Sequence, residues 1–85
     1  MEYQIKVEIS LKRGLSDPEG ETSAASLRDL GYNVREVHIS KLYYIHVDET
    51  TLDRVNQIAD EMCRRLLSNP VKDDYRFYVE RIGTP

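Results

Sequence analysis

The sequence predicts an α+β fold, a two-layer sandwich in which two helices cover one face of a largely antiparallel sheet. Two observations carry this prediction. Apolar and polar residues alternate in the first and last segments, which is typical of half-buried strands. Apolar residues recur at spacings of three and four in two other segments, which indicates helices. The order strand, helix, long strand or strand pair, helix, strand places these elements in one domain over residues 1–85.

The two outer strands are predicted from a period of two. The N-terminal strand has an apolar face of five residues, Tyr3, Ile5, Val7, Ile9 and Leu11. The C-terminal strand has a shorter apolar face, Tyr75, Phe77 and Val79. Polar residues fill most of the positions between them, so each strand presents one face to a core and the other to solvent.

The first helix is predicted between the first strand and Gly31. Asp17 can cap its N-terminus, and Pro18 suits the first helical position, where no backbone N–H is needed. Its apolar residues recur at a spacing of three, at Ala24, Leu27 and Leu30. Gly31 then stands where a left-handed C-terminal cap is required, so we expect the helix to end at Leu30.

The second helix is predicted between two threonines and a proline. Thr50 or Thr51 can cap it, and Asn69-Pro70 ends it, because proline disfavours helical geometry in the residue before it. Its apolar side comprises Leu52, Val55, Ile58, Ala59, Met62 and Leu66. Cys63 lies beside this apolar side and far from the helix start, so we expect it to be a buried and unreactive thiol.

The segment from Arg35 to Asp48 is longer than a typical strand of about five or six residues. Its odd positions carry an apolar face, Val37, Ile39, Tyr43, Ile45 and Val47. The segment predicts either two strands that meet near Ser40-Lys41, or one long bent strand that extends past its own sheet. Its centre lacks glycine, proline, asparagine and aspartate, which favours the long or bent strand.

The even positions of the same segment form a candidate interface. Leu42 and Tyr44 place apolar side chains on the face opposite the core, and His46 and Lys41 adjoin them. In a chain of 85 residues, the free energy of burying surface nearly cancels the cost of ordering the chain. Burial against another chain would therefore add stability, and we predict that these four residues contact another chain.

Composition excludes several classes of protein. The charged fraction of 32% and the hydrophobic fraction of 40% are those of an ordinary globular domain. A net charge of −3 argues against non-specific binding to nucleic acid. No apolar run reaches the ~20 residues that span a bilayer, and the N-terminus lacks a signal-peptide core. The single cysteine cannot form an internal disulfide, so we expect a cytoplasmic protein.

The sequence lacks the residue patterns of common catalytic and metal sites. It contains neither G-x-x-x-x-G-K-S/T nor G-x-G-x-x-G, and its serines have no nucleophile-elbow context. His38 and His46 would lie ~26 Å apart along an extended strand, too far to share a metal ion. We therefore expect no catalytic residue, no cofactor site and no metal site on this chain.

Three motifs resemble those of the PurS family, the small subunit of phosphoribosylformylglycinamidine synthase. Residues 11–20 read LKRGLSDPEG, similar to the family's LK…G-x-x-DPxG segment. Residues 26–32 read SLRDLGY, and residues 63–75 read CRRLLSNPVKDDY, similar to its AL-x-x-LGY and C-x-x-LL-x-NPV-x-x-DY segments. The motifs keep their order and spacing over nearly the whole chain. Two positions depart from the family pattern, since Ser40 replaces a glycine and Lys72 replaces a hydrophobic residue.

The resemblance implies a non-catalytic subunit with large partners. In the family, a synthetase subunit of the PurL type uses ATP and magnesium to activate formylglycinamide ribonucleotide. A glutaminase subunit of the PurQ type releases ammonia from glutamine. The small subunit helps to join the other two, supports ammonia transfer between them in de novo purine biosynthesis, and forms homodimers or dimers of dimers. Neither nucleic acid nor a membrane is an implied partner.

Three other functions are open at this point. An ACT-like regulatory domain, which dimerises through its sheet and binds small metabolites, would require a glycine-rich turn after the first strand, where Gly14 stands alone. An RNA-binding module would require exposed aromatic residues with basic neighbours, and Tyr43 and Tyr44 meet this pattern only in part. An independent enzyme would require a nucleophile and a base, which the sequence does not supply.

Overall fold

The computed structural model describes residues 1–83 and has an α+β architecture of three strands and two α-helices. In chain order these are β1 (Glu2–Leu11), α1 (Pro18–Asp29), β2 (Lys41–Asp48), α2 (Leu52–Met62) and β3 (Asp73–Ile82). A π-helical turn, Cys63–Leu67, continues α2. The predicted α+β class and the order of its elements are confirmed.

The strand β1 lies at the centre of an antiparallel sheet with the order β2–β1–β3. Ile5 of β1 lies opposite Ile45 of β2 and Val79 of β3. Because side chains alternate between the two faces of a strand, the odd residues of all three strands share one face. On β1 this face is buried from Tyr3 to Ile9, as its period of two predicts.

The helix α2 covers the odd face of the sheet and completes the core. Val55, Ala59 and Cys63 are fully buried in one cluster with Ile5 and Val7 of β1. These residues recur every four positions along the helix, which places them on one side of it. The core therefore depends on contact between one helix and the central strand.

The helix α1 has the predicted ends but a different place in the fold. Asp17 caps it, Pro18 is its first residue, and Gly31 has a φ of 99° just after the C-cap residue Leu30. Among the described residues, α1 contributes none to the core cluster. The helical layer over the sheet core thus consists of α2, where two helices on one face were expected.

The predicted long strand over residues 35–48 is paired only in its second part. The strand β2 begins at Lys41, and residues 35–40 belong to no strand of the described chain. The pairing of β1 with β2 ends at Ile9, opposite the first residue of β2. The chain of β1 continues only to Leu11, so residues 35–40 extend past their own sheet with no strand beside them.

Residues 33–40 pack instead against α1, and we call this segment and α1 together the arm. The guanidinium of Arg28 donates hydrogen bonds to the carbonyl oxygens of Val34 at 2.8 Å and Arg35 at 2.5 Å. Near the other end of α1, the Asp17 carboxylate accepts a hydrogen bond from the Ile39 N–H at 2.9 Å. The segment therefore runs antiparallel to α1. The molecule has principal extents of 51 × 31 × 14 Å.

Gly20 allows the two parts of the arm to approach closely. A Cβ atom at this position would overlap the carbonyl oxygen of Val37 and would lie 2.9 Å from Cγ of Asp17. The other carboxylate oxygen of Asp17 accepts a hydrogen bond from the Gly20 N–H at 2.9 Å. The motif Asp17-Pro18-Glu19-Gly20 is thus both a helix cap and the attachment point of the following segment.

Candidate interface on the open face of the sheet

The sheet face turned away from α2, here called the open face, carries the even residues of the three strands. Three of its apolar or aromatic side chains are strongly exposed, with fractions of 49% for Leu42, 59% for Tyr44 and 56% for Tyr78. Exposed side chains of this size on one flat surface are typical of contact sites for other chains.

Lys6 joins the two exposed tyrosines in one row across the sheet. It lies on β1 opposite Tyr44 of β2 and opposite Tyr78 of β3. Its Nζ atom is 5.3 Å from the centroid of the Tyr78 ring, within the distance for a cation–π interaction. The ammonium charge at the centre of the open face is thus already engaged by an aromatic ring.

A charge pair occupies the next row of the open face. Glu8 lies on β1 between Leu42 and Arg76, and its Oε1 atom is 2.7 Å from Nη2 and 2.8 Å from Nε of Arg76. The hydrogen bond to Glu8 raises the pKa of the Arg76 guanidinium. Because these charges compensate each other within the face, another chain could cover them without leaving either unpaired.

His46 and Lys41 belong to opposite faces of the sheet. His46 belongs to the open face, where its Nε2 atom is 3.0 Å from Oε1 of Gln4 on the neighbouring strand. Lys41 is an odd residue opposite Ile9, so it belongs to the other face, at the point where the arm joins β2. The structure therefore brings Leu42, Tyr44 and His46 together and separates Lys41 from them.

Tyr78 is the open-face residue that the predicted interface omitted. Its signal was an aromatic side chain at an outward position of the last strand, between Arg76 and Glu80. That signal has no weight in an isolated strand, since single exposed aromatic residues are common. It gains weight from the register, which places Tyr78 and Tyr44 on either side of Lys6.

Two carboxylates have lowered pKa values because they serve as structural acceptors. The pKa of Asp60 is lowered chiefly by a hydrogen bond from the Tyr75 hydroxyl at 2.5 Å, with a second from Arg64 at 2.7 Å. The pKa of Asp17 is lowered chiefly by the hydrogen bond from the Ile39 backbone. Both groups are ionised at neutral pH and hold one element of the fold to another.

The thiol of Cys63 has the surroundings of a structural residue. Its side chain is fully buried, and this burial raises the thiol pKa. A raised pKa and lack of exposure both oppose formation of the reactive thiolate. The expectation of a buried, unreactive cysteine is therefore confirmed in its structural part.

Residues 1–83 contain neither a cluster of metal ligands nor a membrane-spanning helix. No three histidine, cysteine, aspartate or glutamate side chains lie in a group that could hold a metal ion. None of the helices in this part of the chain combines the length and the apolar character needed to cross a membrane.

Comparison with known proteins gives the family of this chain. The sequence model of the PurS family, described as phosphoribosylformylglycinamidine (FGAM) synthase, matches residues 4–81. This chain belongs to the PurS family. The PurS subunit of FGAM synthase from Methanocaldococcus jannaschii is 41% identical to it over 81 residues, which cover 94% of this chain and 98% of that protein. The PurS subunit from Bacillus subtilis is 36% identical, covering 94% and 95%.

Solved PurS structures have the same fold as this PurS-family chain. The M. jannaschii PurS structure superposes with a TM-score of 0.85 at 41% identity, covering 95% of this chain and 99% of that chain. The Thermus thermophilus PurS structure gives 0.89 at 32% identity, covering 98% and 100%. A chain in the structure of PurLQS from Thermotoga maritima gives 0.87 at 23% identity, covering 94% and 99%, and thus shares the fold.

The last PurS-like motif of the chain shapes the turn into β3. The carbonyl oxygen of Asn69 accepts a hydrogen bond from the Asp73 N–H at 2.8 Å, and the Asp73 carboxylate accepts one from the Asn69 N–H at 2.9 Å. The side-chain oxygen of Asn69 accepts a further bond from the Val71 N–H at 2.9 Å. This motif, like the one around Asp17, therefore contributes to the fold through hydrogen bonds between its side chains and nearby backbone N–H groups.

Proposed function

We propose that this chain is the non-catalytic small subunit of FGAM synthase and that it acts by holding the other subunits together. The observation that carries the proposal is the open face, where Leu42, Tyr44 and Tyr78 are exposed around charges that are already paired. In a PurS-family chain such a surface is suited to contact with another subunit.

The non-catalytic role is supported by what the ionisable side chains do. The two carboxylates with lowered pKa values, Asp17 and Asp60, are occupied by hydrogen bonds within the fold. The thiol of Cys63 is buried, and its raised pKa disfavours nucleophilic attack. These three groups thus have structural tasks within the fold.

The partners in this proposal are a PurL-type synthetase subunit and a PurQ-type glutaminase subunit. ATP and magnesium act in the synthetase subunit, and ammonia from glutamine passes from the glutaminase to it. This chain carries no cofactor of its own and works in the cytoplasm. The grouping is supported by the name PurLQS, which the solved Thermotoga maritima structure bears.

The proposal includes a homodimer or a dimer of dimers. The molecule is only 14 Å thick along its shortest axis. The buried residues of its core cluster come from β1 and from α2 with its π-helical turn. A chain of 85 residues buries a smaller share of its surface when it folds alone than a larger domain does. A second copy on the open face would add apolar burial where Leu42 and Tyr44 are exposed.

The proposal is tested by reconstitution with the cognate synthetase and glutaminase subunits. ADP release is measured with glutamine in one arm and ammonium in the other, with and without this chain. We expect the chain to be required with glutamine and dispensable with ammonium, because ammonium does not need transfer between subunits. No effect in either arm, together with no complex on size-exclusion chromatography, would overturn the proposal.

Matched variants connect the assay to the open face. The variant Leu42→Lys with Tyr44→Lys should lose the glutamine-dependent rate and keep native circular dichroism, because both side chains are exposed. Lys12→Glu alters an exposed residue outside the strands and serves as the control. Equal glutamine-dependent rates in the two variants would show that the open face is not the contact surface.

A further inference from the structure

The outer edge of β3 has no strand beside it within residues 1–83, because β3 pairs only with the central strand β1. At the start of this pairing the Lys12 N–H donates to the carbonyl oxygen of Lys72 at 2.8 Å, whereas the Asp73 N–H donates to Asn69 at 2.8 Å. Backbone groups of successive residues in a strand point to opposite edges. The even residues of β3 therefore bond to β1, and the odd residues from Asp73 to Arg81 direct their N–H and C=O groups to the free edge.

This edge lacks the usual features that keep edge strands apart. The strand β3 is ten residues long, contains neither proline nor lysine, and keeps one register with β1 from end to end. An edge of this kind is a template for another strand. Its open-face charges, Asp74, Arg76 and Glu80, differ in sign along the strand and therefore select the partner and the register.

We propose that a second copy of this chain pairs through this edge, with the two β3 strands antiparallel and the two Tyr78 residues opposite each other on a twofold axis. The occupant is a second copy because the sequence of β3 is complementary to itself when it is reversed. A twofold contact requires this property, since the same residues meet on both sides of the axis.

The complementarity appears on both faces of the joined sheet. In an antiparallel pair, residues that direct their backbone groups to the same edge lie opposite each other, so the axis passes through one residue. With Tyr78 on the axis, Arg76 lies opposite Glu80 of the second copy on the open face. On the other face, Phe77 lies opposite Val79 of the second copy. Symmetry repeats both pairs, and both types of pair stabilise a sheet.

The neighbouring registers lose this complementarity. Phe77 on the axis would set Asp74 opposite Glu80 twice, and like charges directly opposite each other destabilise a sheet. Val79 on the axis would set Phe77 opposite Arg81, which places a charge against the apolar face. The register with Tyr78 on the axis avoids both mismatches.

The contacts within one copy prepare the open face for this junction. Tyr78 is 56% exposed, and Nζ of Lys6 lies 5.3 Å from the centroid of its ring. In the joined sheet the two tyrosine rings would lie side by side with a lysine on each flank. The Arg76 guanidinium, 2.7 Å from the Glu8 carboxylate, would stand between this carboxylate and that of Glu80 of the second copy. Each arginine at the junction therefore has carboxylates on both sides.

The helices leave room for the junction. The helix α2 packs on the core residues of β1, and its Asp60 carboxylate accepts a hydrogen bond from the hydroxyl of Tyr75 on β3. The helix thus lies over these two strands, and the two copies of α2 would be two to three strand spacings apart, about 10–14 Å. Packed helices need about 8–10 Å between their axes. The two helices can therefore lie side by side on one face of a continuous sheet.

This inference goes beyond the proposed function, because it assigns a contact between copies to an edge that the assembly role does not require. Assembly with the synthetase and glutaminase subunits is measured by the reconstitution assay, whereas the β3 junction is measured on the isolated chain. A failure of the junction would leave the assembly role standing, and a failure of reconstitution would leave the junction standing.

The first test is disulfide cross-linking of the full chain. Tyr78→Cys puts a thiol on the axis, where the opposite Cα atoms lie about 4.5 Å apart, within the ~4.4–6.8 Å that disulfides require. Tyr44→Cys is the matched control, because Tyr44 is 59% exposed on the same face but belongs to the other edge strand. Cys63 is buried and stays in place. We expect Tyr78→Cys to cross-link about tenfold faster than Tyr44→Cys, and equal rates would overturn the proposal.

A mixing experiment tests the register. Arg76→Cys and Glu80→Cys should each cross-link slowly alone, because four residues of offset separate the two identical thiols by about 13 Å. An equimolar mixture should cross-link one variant to the other about tenfold faster, because these positions lie opposite each other. Either variant alone cross-linking as fast as the mixture would overturn the proposal.

A change of charge tests the pairs beside the axis. Glu80→Arg in the Tyr78→Cys chain sets arginines opposite each other on both sides of the axis and should slow cross-linking about tenfold. Glu2→Arg is the control, since it makes the same change of charge at an exposed open-face position outside β3. An equal effect of the two substitutions would overturn the proposal.

Amide exchange distinguishes edge pairing from stacking of two open faces. The N–H groups of Phe77 and Val79 point to the free edge and would donate to the second copy only if the strands pair. We expect their exchange to slow at least about tenfold as the wild-type concentration rises to the level at which Tyr78→Cys cross-links. Stacked open faces would leave these groups exposed, so exchange that does not depend on concentration would overturn the proposal.

Discussion

The substitution Gly20→Ala sets two effects on stability against each other, the packing of the arm around Gly20 and the intrinsic helix propensity of the residue. Alanine is more favourable than glycine in a helix interior by about 0.8–1.0 kcal/mol, so propensity alone predicts stabilisation. In this fold the new Cβ would overlap the carbonyl oxygen of Val37 and crowd the Asp17 carboxylate. Overpacking of this kind typically costs about 1–3 kcal/mol.

Loss of the Asp17 contacts adds to the cost of the Gly20→Ala change. Displacement of this carboxylate would weaken its bonds to the Gly20 and Ile39 N–H groups, and loss of a helix cap typically costs ~1 kcal/mol. The unfavourable contributions therefore outweigh the gain in propensity. We expect a net loss of about 1–3 kcal/mol in the free energy of unfolding.

The assay is urea unfolding followed by circular dichroism at one fixed protein concentration, since association would otherwise shift the apparent stability. Ser26→Ala is the control, because Ser26 is exposed on the same helix and its replacement should stabilise by up to about 0.5 kcal/mol. Amide exchange at Ile39 should accelerate in Gly20→Ala alone. A Gly20→Ala chain more stable than wild type would refute the role assigned to this glycine.

Three further outcomes are expected. Leu42→Lys with Tyr44→Lys should reduce the oligomer mass in light scattering without loss of native circular dichroism, and an unchanged mass would contradict the assignment of the open face. The pKa of the Asp60 carboxylate is lowered in the folded chain, chiefly by the hydrogen bond from Tyr75. The ionised carboxylate therefore stabilises the fold above its ordinary pKa of 3.8, and this stability is lost as pH falls through the folded pKa. Tyr75→Phe should accordingly make the free energy of unfolding depend less on pH in this acid range. Alkylation of Cys63 should be slower in the native chain than in urea by at least about a hundredfold, because exposure requires opening of the core; equal rates would place the thiol at the surface.

The sequence determined the local elements of this protein with good accuracy. The period of two in β1 and the cap at Asp17-Pro18 are short-range signals, and both appear where they were expected. Such signals depend on contacts between residues a few positions apart, so they can be read without a fold. The three family motifs also predict the family correctly. Two of them form a helix cap and a turn in the fold.

The tertiary structure decided where the elements lie relative to one another. Residues 35–40 have the alternating pattern of a strand, but a strand also needs a neighbouring strand to pair with. The pairing between β1 and β2 ends at Ile9, opposite Lys41, so residues 35–40 have no partner on β1. Gly20 appears as a weak helix residue in the sequence and becomes a contact point only because Val37 passes beside it. Tyr78 joins Tyr44 through the register with Lys6, a relation between residues distant in the chain. Pairing, close approach and register are long-range properties, and for this reason no local pattern determined them.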